Sequence, residues 1–128
     1  MSIVLIAGGA GLIGTHLSET LVNRGDEVRH LSRSPRSDAK YPTFHWDPIH
    51  GQIDSAALAD VDFVINLAGA GIADKPWTKT RKQLIIDSRV EGNRVLLKAM
   101  QAAVHPPKAY LSSAAIGYYG NRGDEELT

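Results

Sequence analysis

Short apolar runs alternate along the chain with longer segments in which apolar positions return every three or four residues. The strand candidates are Ile3 to Ala7, the short and only half-apolar Glu27 to Leu31, Thr43 to Trp46, Phe63-Val64-Ile65 ending at Asn66, and Ala109-Tyr110-Leu111. The first is apolar throughout, as a strand buried on both faces requires. Between the runs, helical spacing predicts a helix from about Leu12 to Arg24, with Ile13, Leu17 and Leu21 in line and Gly25 suited to its C-terminal cap. Ser55 to Ala59 reads as a brief helix. A longer helix is predicted from about Thr80 to Ala103, with the stripe Ile86, Val90, Asn93, Leu97, Met100 and Val104, and Pro106-Pro107 stops it. Strand–helix alternation of this kind predicts a three-layer α/β sandwich around a parallel sheet, without internal repeats.

One stretch goes beyond architecture. "AGGAGLIG", residues 7 to 14, carries four glycines in eight positions at the end of the first strand. Gly9, Gly11 and Gly14 fit G-x-G-x-x-G, and Gly8, Gly11 and Gly14 fit G-x-x-G-x-x-G. Both readings put bare backbone at a helix N-terminus, where free N–H groups and the positive end of the helix dipole can seat a pyrophosphate. A side chain there would hold the phosphates away. Strand before and helix after are the context the mechanism needs, so the sheet is expected to be Rossmann-like, with strand order 3-2-1-4-5. Gly8, Gly9 and Gly11, with Leu12 and Ile13 opening the helix, are the candidate diphosphate contacts.

Which dinucleotide is seated depends on the end of the second strand, where NAD binders carry an acid and NADP binders an arginine. Here "HLSRSPR" supplies Ser32 and Arg33, with Arg36 close behind and no carboxylate. Arg33 can pair bidentately with a 2′-phosphate or stack on adenine, and Ser32 can donate a hydrogen bond. NADP is expected, and NAD is the lesser alternative.

Composition narrows the classes. The 128 residues are 43% apolar, enough for one domain with a core. Fourteen basic residues against fourteen acidic leave no field to draw nucleic acid or an anionic membrane. Without cysteine there is no thiol nucleophile or disulfide. The N-terminus lacks a basic leader and its apolar stretch is broken by glycines, so a cytoplasmic location is expected. "HWDPIH" has His45, Asp47 and His50 but no helical histidine pair, and is read as a turn and not a metal site. "KPWTKTRK" groups Lys75, Lys79, Arg81 and Lys82 around Trp77 at the opening of the long helix.

"AGGAGLIG", "NLAGAGIADKPW" and "SSAAIGYYG" together resemble the NAD(P)-binding half of extended and atypical short-chain dehydrogenase/reductases. More narrowly they are similar to the NAD-dependent epimerase/dehydratase group, the nucleoside-diphosphate-sugar epimerase or YfcH-like proteins. The resemblance implies that Leu67, Ala68 and Gly69 lie along the adenosine, and that Asp47 touches adenine. It implies that Ser113 polarises a substrate oxygen, with Tyr118 as the candidate for proton transfer or, with Tyr119, as pocket wall. No Tyr-x-x-x-Lys occurs in the chain, so the pair that makes a tyrosine acidic in such enzymes is not present here. Relatives are longer, so these residues are expected to be the N-terminal part of a protein whose substrate domain follows Thr128, and to catalyse nothing alone. The implied partners are a small-molecule substrate such as a nucleotide sugar and, through the long helix, a second copy of the chain. Sugar epimerisation, carbonyl reduction and non-enzymatic NADP(H) sensing all use such a domain.

Overall fold

Ile3 to Ala7 form β1, and nearly every side chain of this strand is buried, as an unbroken apolar run flanked by strands on both sides demands. The computed structural model describes residues 1–68 and 78–112. Its further elements are α1 (Leu12–Asn23), β2 (Glu27–Ser32), β3 (Thr43–Asp47), β4 (Gln52–Ile53), a 3₁₀ turn (Ser55–Leu58), β5 (Phe63–Asn66), α2 (Lys79–Ala102) and β6 (Ala109–Ser112). The sheet runs β4-β3-β2-β1-β5-β6. All pairings are parallel except β3 with β4, so the five expected strands stand in the expected 3-2-1-4-5 order. The short antiparallel β4 at the edge was not anticipated: two residues are too few for a period to show. It pairs Trp46 with Ile53 across a turn completed by Gly51 at φ +67.

Alternate residues of β1 serve two cores. Val4 and Ile6 pack with Leu21 and Val28 on the α1 face. Leu5 and Ala7 pack with Leu31, Trp46, Leu58, Val64, Leu96 and Met100 on the α2 face. Fully burying one such aliphatic side chain contributes about 1.5–3 kcal/mol. Carboxylates clamp the strand starts: Asp62 accepts from the Ile3 amide at 2.8 Å, and Asp26 accepts from the Ser2 amide at 3.0 Å. Gly25, at φ +93, closes α1 as expected, its amide donating to the Val22 carbonyl.

The stripes predict the helix faces in part: Leu17 and Leu21 of α1 and Met100 of α2 face the cores as expected, while Ile13 and most of the α2 stripe do not. In α1 the buried residues are Gly14, Ser18 and Leu21, while Ile13 is 70% exposed. The reason is proximity: a Cβ on Gly14 would stand 2.6 Å from the Gly8 carbonyl oxygen, so only a small residue can face the loop. In α2 the inward face is Gly92, Val95, Leu96 and Met100, with Ala99 and Ala103 packed beside them. Ile86, Val90, Leu97 and Val104 point outward. The ring of Trp46 packs over Gly92 on that face, 3.5 Å from where a Cβ would be.

Candidate nucleotide-binding site

The chain runs outward from β1 to β2 and β3, then returns to β5 on the other side of β1. Loops leaving adjacent strands in opposite directions open a crevice at the carboxyl ends, where open α/β sheets bind ligands. Here it is a cleft of about 960 Å³ lined by the glycine loop, the residues after β2, the approach to β3 and the Leu67-Ala68 backbone after β5. Of the residues expected to touch a nucleotide, Gly8, Gly9, Gly11, Ser32, Arg33, Leu67 and Ala68 all line it.

The glycines have separate tasks. Gly8 is at φ +80, and a Cβ on it would meet the Ala68 nitrogen and the Leu67 carbonyl carbon at 2.8 Å, so the loops after β1 and β5 touch through bare backbone. A Cβ on Gly9 would stand 2.5 Å from Nε2 of His30. Gly11 differs. At φ −73 and ψ 178 its backbone suits any residue, and a Cβ would meet only the Gly8 carbonyl oxygen, at an ordinary 3.6 Å. The fold does not require glycine at 11, whereas an anion approaching the helix end does. Gly11 is the N-cap of α1, no side chain caps the helix, and its first turn holds no acid that would compete with an anion.

His30 supports this loop from below. Its Nε2 lies 2.8 Å from the Ser18 hydroxyl, which donates to the Gly14 carbonyl at 2.7 Å. The serine proton is therefore committed to Gly14, and Nε2–H of the imidazole is the donor to Ser18. Tyr41 packs against the ring, with centroids 4.9 Å apart. Burial pushes the His30 pKa below its ordinary 6.5, favouring the neutral ring.

At the β2 end the cleft is cationic. The Ser34 amide donates to the Ser32 hydroxyl oxygen at 3.1 Å, leaving the hydroxyl proton of Ser32 free to be donated. Arg36 is held bidentately by Asp38, at 3.1 and 3.0 Å. Arg33 is exposed, lines the cleft, and forms no ion pair or hydrogen bond among the described residues. Its guanidinium is thus available to an incoming anion.

Three expected contacts stand elsewhere. Asp47 does not line the cleft; its carboxylate accepts from the His50 amide at 3.3 Å and pairs with Nδ1 of His50 at 2.7 Å, closing the β3–β4 turn. That bond holds the Asp47 carboxyl below the usual carboxylate range. Leu12 and Ile13 also lie outside the cleft wall, with side chains largely in solvent. Gly69, Ser113, Tyr118 and Tyr119 are outside the described residues, as are Lys75 and Trp77.

A polar network under the β5 end was only half legible. Asn66 accepts from the Ala68 amide at 3.0 Å and donates to Asn93 at 3.2 Å and to the Tyr110 hydroxyl at 3.1 Å. Tyr110 and Ser112 also donate to Oδ1 of Asn93. These bonds tie β5, α2 and β6 together where the Leu67-Ala68 backbone enters the cleft. The one available signal was an asparagine, Asn93, inside an apolar stripe. Among the described residues no three His, Asp or Glu side chains gather as a metal site would need.

Known proteins share this arrangement. Residues 4–128 match the model of the NAD dependent epimerase/dehydratase family. The chain is 38% identical over 123 residues to "Epimerase family protein Mb2239" of Mycobacterium bovis, covering 96% of this chain and 40% of that protein. It is 36% identical over 118 residues to the human epimerase family protein SDR39U1, covering 91% of this chain and 38% of the relative. A crystal structure of that human protein (isoform 2) with NADPH superposes with a TM-score of 0.77 at 35% identity, over 91% of this chain and 38% of that one. The nucleoside-diphosphate sugar epimerase of Corynebacterium glutamicum gives 0.75 at 31% identity, over 98% and 25%. The chain thus spans about two-fifths of the length of the curated relatives it matches.

Proposed function

Because the chain belongs to the NAD dependent epimerase/dehydratase family, we propose that it is the NADP(H)-binding part of an oxidoreductase acting on a sugar hydroxyl or carbonyl, a nucleotide sugar being the leading substrate class. The observation that carries this reading is the pairing, in one cleft, of a helix end without a side-chain cap behind Gly11 with the guanidinium of Arg33, which has no partner among the described residues. The first takes a diphosphate; the second takes a further phosphate. That a human relative has been crystallised with NADPH supports the same choice. No carboxylate stands between Ser32 and Arg36, directly after β2, to accept a ribose 2′-hydroxyl, and Asp38 beyond them is engaged by Arg36, which disfavours NAD.

The residues divide the work along the cleft. Gly11 lets the diphosphate reach the α1 terminus, Ser32 and Arg33 hold the adenosine phosphate, and Leu67 and Ala68 form the opposite wall. When bound, the nicotinamide nucleotide supplies a hydride acceptor or donor. His30 orders the loop without touching the reacting end: with Ser18 it fixes the position of Gly9, and so of the helix start.

Calorimetric titration of the folded chain with NADPH and NADH tests this. NADPH is expected to bind more tightly, and Arg33→Asp to reverse the order. A charge-assisted hydrogen bond contributes about 1.5–3 kcal/mol, so discrimination should change by roughly 10- to 100-fold. Equal NADPH affinity in that variant would remove the 2′-phosphate assignment. Incubating the full-length protein with NADPH and a panel of carbonyl compounds and nucleotide sugars then separates the activities. Net NADPH oxidation indicates a reductase, isomer exchange without net oxidation an epimerase, and binding without either a nucleotide sensor.

A further inference from the structure

Four cationic or potentially cationic side chains line the cleft: His30, Arg33, Arg36 and Lys40. His30 is buried and favoured neutral. Arg36 is neutralised in two short bonds by Asp38. Lys40 is different. Its nearest carboxylate, Glu19 of α1, is 3.9 Å from the ammonium, beyond hydrogen-bond length, and both side chains are open to water. The ammonium also lies 5.6 Å from the centre of the Tyr41 ring, within range of a cation–π attraction. Tyr41 itself lines the cleft and packs on His30 beneath the glycine loop. On α1, Glu19 follows by one helical turn Thr15, which also lines the cleft, so the pair bridges helix and loop at the wall that Arg33 shares.

We infer that Lys40 is a second cation for the adenosine phosphate and that Glu19 competes with that phosphate for it, so that the Lys40–Glu19 pair sets how strongly the site prefers NADPH to NADH. The inference rests on the Arg33 reading and adds to it a residue that lies outside the segments the sequence singles out, four positions beyond Arg36. An exposed ion pair is worth about 0–1 kcal/mol, so a dianionic phosphate beside Arg33 can draw the ammonium away from Glu19 at small cost. Arg36 responds less readily, since two hydrogen bonds already match its planar fork to the Asp38 carboxylate.

The experiment measures NADPH and NADH dissociation constants side by side, because the two nucleotides differ only by the phosphate in question. Lys40→Met keeps the unbranched stem over Tyr41 and removes the charge. It should weaken NADPH about three- to tenfold and leave NADH within about twofold. Glu19→Gln should act in the opposite sense, tightening NADPH about two- to threefold with NADH unchanged. A gain in affinity cannot arise from misfolding, so the second variant keeps the test sound if the first is unstable. An unchanged NADPH-to-NADH ratio in both variants, while Arg33→Ala abolishes discrimination, overturns this inference alone. If the unaltered chain binds neither nucleotide, the reading of the site falls and the inference falls with it.

Discussion

Two glycines two positions apart should fail in opposite ways when each is replaced by alanine. A Cβ on Gly9 would stand 2.5, 2.6 and 2.7 Å from three atoms of the His30 ring. That ring is no loose end: it is 9% exposed and bonded to Ser18 at 2.8 Å. Forcing it aside costs about 1–3 kcal/mol of overpacking, and the lost buried hydrogen bond adds about 1 kcal/mol. At roughly 3–5 °C per kcal/mol for a chain of this size, Gly9→Ala should lower Tm by roughly 6–20 °C. Gly11→Ala meets one carbonyl oxygen at 3.6 Å and no forbidden backbone angle. Lower chain entropy when unfolded favours alanine by about 0.4–1 kcal/mol, offset by its poorer standing as an N-cap, so stability should stay within about 1 kcal/mol. Its methyl, however, occupies the anion's approach to the α1 terminus. NADPH affinity should fall by about tenfold or more, a loss of about 1.4 kcal/mol. Thermal unfolding followed by circular dichroism reads the first effect and calorimetry the second. Adding His30→Ala to Gly9→Ala should recover part of the lost Tm, since the collision partner is gone. Equal destabilisation by Gly9→Ala and Gly11→Ala, or undiminished NADPH binding by Gly11→Ala, would refute this division of labour.

Two further outcomes follow from the packing. Burial pushes the His30 pKa below 6.5, so the unfolded chain takes up the proton first; that contribution to stability is complete above about pH 6.5 and shrinks as pH falls towards the folded pKa. Urea titrations between pH 7.5 and 5 (roughly the range in which an imidazole titrates) should show this slope, and His30→Gln should flatten it; an unchanged slope would mean that other groups carry it. On α2, Leu96→Ala should cost about 2–5 kcal/mol and the neighbouring Leu97→Ala less than about 1 kcal/mol, because Leu96 is fully buried while Leu97 is 46% exposed. Similar losses from both would show that the helix face is assigned wrongly.

What local pattern could decide, the chain stated openly. Apolar runs bounded by turn residues marked the strands to within about a residue, since a strand buried on both faces must be apolar whatever its neighbours. Four glycines between a strand and a helix marked one wall of the cleft, and Ser32 and Arg33 another, because both depend on spacing along one continuous stretch. The bonds of Asn66 to Asn93 and Tyr110, by contrast, join residues 27 and 44 positions away. Other features depend on what folding brings together. Leu17, Leu21 and Met100 face inward as their stripes predict, but the inward faces also carry Gly14, Ser18 and Gly92, which are silent in any hydrophobic periodicity, and Ile13 and most of the α2 stripe stand in solvent. Gly9 and Gly11 look alike in the sequence and differ only because His30, from the next strand, stands behind one of them. Lys40 and Glu19 are 21 residues apart by subtraction of their positions, with nothing in either to announce the other. Local spacing specifies which groups a segment offers; only the packed sheet decides which of them face one another.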